Sequence, residues 1–207
     1  MVSDAPPRHW ADKLVDTLLA ERGDGPYLIA SGITPSGPIH VGNSREVLTA
    51  DIIYRILCER GVEAQLVFIA DDYDSLRRVY PFLDKDVFEK WIGAPLSEIP
   101  SPDGNEDMSY ADYFLRPFVS ALKKLKVDAE VLRASELYAD GRYLPQTIQA
   151  LNARDRIADI LNEVTGKEIQ DHWSPFLPQC THCRSMVHTR VTAWDSREEK
   201  ISFHCTR

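Results

Sequence analysis

The chain has 207 residues, 43% of them hydrophobic, with 32 Asp and Glu against 24 Lys and Arg and a formal net charge of −8. That length suits one domain of ordinary size, or one with a small appendage, and the apolar content supports a packed core. The acidic balance excludes a broad phosphate-binding surface within these residues, and no apolar run is long enough to cross a membrane.

Residues 1–8 read as a tail. Met1-Val2-Ser3-Asp4-Ala5-Pro6-Pro7 has neither the basic n-region nor the apolar h-region of a secretory signal. His9 to Arg22 predicts an amphipathic helix with Trp10, Leu14, Val15, Leu18 and Leu19 on one face, stopped by Gly23. Tyr27-Leu28-Ile29-Ala30 is a short apolar run, and a strand is expected over 27–31. From Ser44 to Arg60, Val47, Leu48, Ile52, Ile53, Ile56 and Leu57 recur at helical spacing, with Gly61 as a left-handed cap. Cys58, alone in that helix, reads as a small core residue. Ala64 to Ala70 is a second apolar strand. Strand, helix and strand at this spacing predict a βαβ unit, hence a parallel sheet with a right-handed crossover.

The stretch from Ser31 to Asn43 joins the first strand to its helix. It holds Gly32, Gly37 and Gly42, which permit sharp turns and close approach by a flat ligand. It ends in His40-Val41-Gly42-Asn43, where the helix begins. A helix start offers unpaired N–H groups and a positive dipole end, which suit phosphate, and His40 can donate to a phosphate oxygen. As bare text, His-x-Gly-Asn also reads as a helix-capping loop. Asp71-Asp72-Tyr73-Asp74 follows the second strand at its carboxyl end, where open α/β sheets bind ligands. In isolation it reads as a solvated acidic turn.

Arg77 to Pro102 is broken by Pro81, Pro95, Pro100 and Pro102 and predicts short helices within an insertion near 77–108. Tyr110 to Leu125 predicts a helix with Phe114, Leu115, Phe118, Leu122 and Leu125 on one face. Ala129 to Arg133 predicts a strand, and Ser135 to Tyr138 a short helix. Tyr143 to Val164 reads as one long helix closed by Thr165-Gly166, with Arg154, Asp155, Arg156 and Asp159 on a solvated face. Trp173 to Pro178 reads as a linker. Beyond it, Cys180-Thr181-His182-Cys183 has knuckle spacing, and 187–193 and 200–205 can pair as ribbon strands. Cys205 is a third ligand candidate, with His182, His188 and His204 as substitutes for a fourth. A ribbon that binds zinc weakly or not at all is the alternative.

The string Ala30-Ser31-Gly32-Ile33-Thr34-Pro35-Ser36-Gly37 followed by His40-Val41-Gly42-Asn43 resembles the HIGH-signature region of class I aminoacyl-tRNA synthetases, and of the class I lysyl-tRNA synthetases in particular. The resemblance runs along nearly the whole chain. It implies an α/β, partial Rossmann-like (HUP-type) parallel-sheet domain over 9–172, with a truncated zinc-ribbon segment over 173–207. It implies ATP-dependent activation of lysine and its attachment to tRNA, with Mg²⁺ accompanying ATP and Zn²⁺ as a further cofactor. By resemblance His40 and Asn43 are the catalytic residues, and Thr34, Ser36, His40, Gly42 and Asn43 bind ATP. Gly32, Thr34, Asp71 and Asp72 bind the amino acid, with Asp71 holding the α-ammonium, and Cys180, Cys183 and Cys205 are metal ligands. Some relatives carry a zinc site ahead of Tyr110. Here Asn105, Glu106, Asp107 and Tyr113 stand in that region and no Cys or His occurs from Asp71 to Asp171, so that site is expected to be absent.

The family's second signature, a KMSKS loop that stabilises departing pyrophosphate, has no counterpart in these residues. The chain is therefore expected to be an amino-terminal catalytic segment that does not charge tRNA alone, with tRNA contacts lying largely elsewhere. A non-catalytic synthetase-like paralogue that binds ATP, lysine or a partner is the alternative. A small nucleotidyltransferase, which uses a similar signature, is a third reading, disfavoured by the longer string. With no membrane span and cysteines suited to a reducing compartment, a cytoplasmic location is expected.

Overall fold

The computed structural model describes residues 8–166, 168–170 and 172–207. The expected tail falls almost wholly outside them. The chain separates into two compact units. One comprises the described residues of 8–71 and 114–133, the other the described residues of 72–113 and 134–207. This division is not the expected one at 172/173, because the last residues group with 72–113 and 134–172.

The first unit is an α/β arrangement on a parallel three-stranded sheet. Helix α1 (Trp10–Arg22) leads into β1 (Tyr27–Ile33), α2 (Val41–Glu59) and β2 (Ala64–Ala70). β1 and β2 pair in parallel from Tyr27↔Ala64 to Ile33↔Ala70. β3 (Glu130–Arg133) joins the other edge of β2, also in parallel, ending at Ala70↔Arg133. The order is β1-β2-β3. β2 is central and buried through Leu66, Val67 and Phe68, as its apolar run requires. Phe68 meets Phe118 at 5.5 Å between ring centroids, within a core that includes Val47, Leu66, Leu115 and Leu122.

α2 begins at Val41, within the His40–Asn43 stretch, because His40 and Asn43 cap it. Three expectations in this unit are corrected. In α1, Trp10 and Leu14 are exposed; the buried face is Ala11 and Val15, which pack on Ile53 and Leu57 of α2. Cys58 is exposed, since Leu57 takes the inward position and the next residue lies about 100° around the helix. Leu125 is exposed because the helix ends at Lys124. Asp51 of α2 is buried and pairs with Arg55 at 2.7 Å, and Arg55 also donates to the Lys126 carbonyl.

In the second unit, residues 72–113 hold α3 (Lys85–Phe88), two 3₁₀ turns (Glu89–Trp91 and Leu96–Glu98) and the first turn of α4 (Tyr110–Lys124). Tyr110 is fully buried beside Phe88, and its N–H donates to the Ile99 carbonyl at 2.8 Å. After α5 (Ala134–Ala139), the expected long helix is two: α6 (Leu144–Asn152) and α7 (Arg154–Thr165). The break at Ala153 is flanked by anchored side chains. Asn152 Oδ1 accepts from the Trp194 indole at 2.8 Å, and Arg154 Nε donates to the Trp173 carbonyl at 2.7 Å. Gly166 closes α7 in the left-handed conformation. β4 (Thr189–Asp195) and β5 (Lys200–Cys205) form an antiparallel hairpin. No helix among the described residues is long and apolar enough to cross a membrane.

Candidate functional site

The parallel register brings the carboxyl ends of β1 and β2 to one rim, and the ladder extends one step further, with Asp71 N–H donating to the Ile33 carbonyl at 3.0 Å. The segment leaving β1 turns sharply at Thr34-Pro35-Ser36, where Ser36 N–H donates to the Thr34 carbonyl at 2.8 Å. Pro35 is fully buried, so it pins the turn inward and leaves Thr34 and Ser36 half-buried on either side.

His40 is exposed and serves as the N-cap of α2. Its Nδ1 accepts from Gly42 N–H at 3.1 Å, while Asn43 Oδ1 accepts from His40 N–H at 3.1 Å. This reciprocal cap occupies backbone donors that the sequence left open for phosphate. It also decides the ring's role. With Nδ1 as acceptor, the neutral imidazole carries its proton on Nε2, so the outward nitrogen is the donor. Gly42 has no room for a side chain: an ideal Cβ would lie 2.9 Å from His40 Cε1 and 3.0 Å from Nδ1. Its first duty is therefore to the histidine.

Gly42→Ala tests this coupling. Alanine improves helix propensity by about 1 kcal/mol, so stability should hold or rise slightly. The ring, however, must leave Gly42 N–H. Imidazole ¹⁵N spectra are expected to show a fixed Nε2–H tautomer in the unmodified chain and a mixture in the variant.

Gly32 faces the other half of the site. A Cβ there would lie 2.8 Å from the Ile69 carbonyl oxygen and 3.7 Å from Asp71 Oδ2. The missing side chain lets β1 approach β2 closely and leaves space beside the Asp71 carboxylate. Gly32, Thr34, Ser36, His40, Gly42, Asn43 and Asp71 all belong to the first unit. Asp72 does not. It is completely buried in the second unit, and its carboxylate accepts from Ser135 N–H and Oγ–H, each at 2.8 Å. Those bonds cap the start of α5, which is a different task from the amino-acid contact expected of it.

Ser31, quoted in the signature without a role, has a buried Oγ with no hydrogen-bond partner. It lines a groove of about 430 Å³ with Arg45, Glu46 and Thr49. Strand alternation was the available signal, since it puts Ser31 on the opposite face from Gly32.

In the second unit the thiols of Cys180, Cys183 and Cys205 lie within 4.8 Å of one another. Cys183 and Cys205 Sγ are 3.6 Å apart. Two ligands each about 2.3 Å from a tetrahedral ion stand roughly 3.8 Å apart, so the donor set fits zinc. The backbone N–H groups of Cys183 and His182 pull the Cys180 thiol down to about 7, which favours the ligating thiolate. The substitute histidines are not in the cluster, and His188 Nδ1 is engaged with Ser185 Oγ at 2.8 Å.

Residues 8–207 match the family described as tRNA synthetases class I (K). Lysine–tRNA ligase from Methanosarcina barkeri is 47% identical over 197 residues, which is 95% of this chain and 36% of that protein. The lysine–tRNA ligase of Methanocaldococcus jannaschii is 48% identical over 95% of this chain and 37% of its own length. That of Thermoplasma acidophilum is 42% identical over 95% and 37%. The chain thus spans a little over a third of the length of these curated relatives.

Proposed function

This chain belongs to the family of class I (K) tRNA synthetases, and on that premise we propose that it supplies the ATP- and lysine-binding part of a lysine–tRNA ligase. The single observation that carries the reading is the His40 cap, which sets an Nε2–H donor at the start of α2. In the reaction a lysine carboxylate oxygen attacks the α-phosphorus of ATP. A carboxyl–phosphate bond forms, the bond from that phosphorus to the bridging oxygen breaks, and pyrophosphate leaves with the electron pair. No protein nucleophile is needed. The protein aligns the reactants and offsets charge where it develops.

His40 Nε2–H donates to a phosphate oxygen, with the positive end of the α2 dipole behind it. Asn43 holds His40 through the cap. Thr34 and Ser36 flank the nucleotide, and Gly42 keeps the ring in place. Asp71 pairs with the α-ammonium in the space that Gly32 leaves. Mg²⁺ neutralises the triphosphate when ATP is bound. The sheet is the first part of a Rossmann-like nucleotide fold, the final acceptor is tRNA, and the setting is a reducing compartment such as the cytoplasm.

The test replaces the matching segment of the Methanosarcina barkeri ligase with this chain. Lysine-dependent ATP–pyrophosphate exchange and tRNA charging by the graft support the reading. A folded graft that does neither, with no ATP or lysine binding by the chain itself, overturns it.

The hairpin β4–β5 with its three thiols is read as a zinc ribbon, with Cys180, Cys183 and Cys205 holding the ion. The purified chain is expected to retain zinc by mass spectrometry. Cys180→Ser should lower its affinity at least tenfold in chelator competition. Full occupancy in that variant would remove Cys180 from the ligand set.

A further inference from the structure

We propose that Cys183 and Cys205 are a peroxide-sensitive thiol pair whose closure to a disulfide empties the metal site of the ribbon. Their sulfurs stand 3.6 Å apart, so they are already in contact, and a small rotation of the two side chains brings them to bonding distance. Each is fixed from a different side. Cys183 lies in a turn closed by Arg184 N–H, which donates to the Cys180 carbonyl at 2.9 Å, with Arg184 at a φ of 59°. Cys205 ends β5 opposite Thr189, and the next residue ties the strand down, with Thr206 N–H donating to the His188 carbonyl at 2.9 Å. The chain between them, 22 positions from one cysteine to the other, is already folded into the β4–β5 hairpin, so bonding costs little further loop entropy.

Cys180, the third thiol of the cluster, is kept out of the bond. It is 6% exposed, whereas Cys183 and Cys205 are half-buried and within reach of a small oxidant. Its sulfur accepts from the backbone N–H groups of Cys183 and His182, and its own N–H donates to the Ser185 carbonyl at 2.9 Å. Turning towards Cys183 would give up the contacts of its sulfur. The oxidant is hydrogen peroxide. One sulfur of the pair attacks a peroxide oxygen, the O–O bond breaks, and hydroxide leaves and takes up the thiol proton as water, while that sulfur becomes a sulfenic acid. The other sulfur attacks the sulfenic sulfur, the S–S bond forms, and the second oxygen leaves as water with the remaining thiol proton. Two thiols and one peroxide thus become one disulfide and two waters, with two electrons passing from sulfur to oxygen. Thiolates, not disulfides, ligate zinc, so of the three sulfurs only that of Cys180 remains a ligand. In a reducing compartment such a disulfide is transient, which makes the change reversible.

The inference rests on the zinc-ribbon reading and adds control by oxidation. The test exposes the zinc-loaded 207-residue chain to hydrogen peroxide, with Cys58→Ser introduced throughout to remove the exposed thiol of α2. Zinc release is followed with a colorimetric chelator, and the disulfide is placed by mass spectrometry of an unreduced digest. A Cys183–Cys205 disulfide is expected to appear in step with zinc release, and dithiothreitol with added zinc should restore the loaded chain. Adding Cys205→Ser should lower the yield of intramolecular disulfide about 10-fold or more and let Cys183 pass on to sulfinic acid, because its resolving partner is gone. A Cys180–Cys183 disulfide as the main product overturns the proposal. So does zinc release with each thiol oxidised singly, or a Cys183–Cys205 disulfide that leaves zinc bound. The same digest is made from chain stripped of metal. If the reduced chain holds no zinc, yet peroxide still joins Cys183 to Cys205, the zinc reading fails and the thiol pair stands.

Discussion

His40→Ala, made in the graft described above, is expected to lower kcat/KM for lysine-dependent ATP–pyrophosphate exchange about 10²- to 10³-fold, with lysine affinity nearly unchanged. Loss of one preorganised donor aimed at developing charge has that magnitude. Alanine also removes the cap, at a cost of about 1 kcal/mol in helix stability. His40→Asn separates the two effects. Asparagine is among the best N-cap residues, and its Oδ1 can take over the bond from Gly42 N–H. Its short amide, spent on the cap, ends well short of the position of Nε2. Stability near that of the unmodified protein with exchange as slow as in His40→Ala assigns the rate to the Nε2 donor. Recovery of most of the rate in His40→Asn would instead make His40 a cap and nothing more.

The β1–α2–β2 unit was legible in the sequence because each signal was local. The apolar run of β2 is buried on both faces, and Gly61 stands at a positive φ directly after the α2 terminus, as its position in the pattern predicts. The α1 face was misjudged because periodicity cannot tell which side of a helix meets a neighbour. Ala11 counts little on any hydrophobicity reading, yet contact with Leu57 buries it, and Trp10 remains outside. The break at Ala153 was invisible for a similar reason. No Gly or Pro marks it, and the side chains that flank it are held by Trp173 and Trp194, distant in sequence. At the candidate site, residue types were readable but tasks were not. Asp71 and Asp72 are adjacent and chemically identical, and only the groups around them set their tasks apart. One stands beside Gly32, the other is spent on Ser135. Gly42 reads as room for a ligand, whereas the ring of His40 occupies that room.

Gly32→Ala is expected to damage both the sheet and the amino-acid pocket. The added Cβ falls 2.8 Å from the Ile69 carbonyl oxygen, closer than side-chain carbons approach backbone oxygen. That oxygen belongs to the central strand, and β2 cannot retreat without disturbing its ladder to β3. Overpacking of this kind costs about 1–3 kcal/mol, to be read as a lower urea midpoint with an unchanged slope. The same methyl sits beside Asp71 Oδ2, where the ammonium is proposed to dock. A displaced charge-assisted bond costs about 1.5–3 kcal/mol, or roughly a 10- to 150-fold rise in the lysine dissociation constant. Asp71→Asn provides the comparison, because it keeps the shape and removes the charge. It should match the loss of lysine affinity without the loss of stability. If Gly32→Ala lowers the urea midpoint while lysine binds as before, Gly32 serves strand packing alone, and the ammonium site must lie away from Asp71.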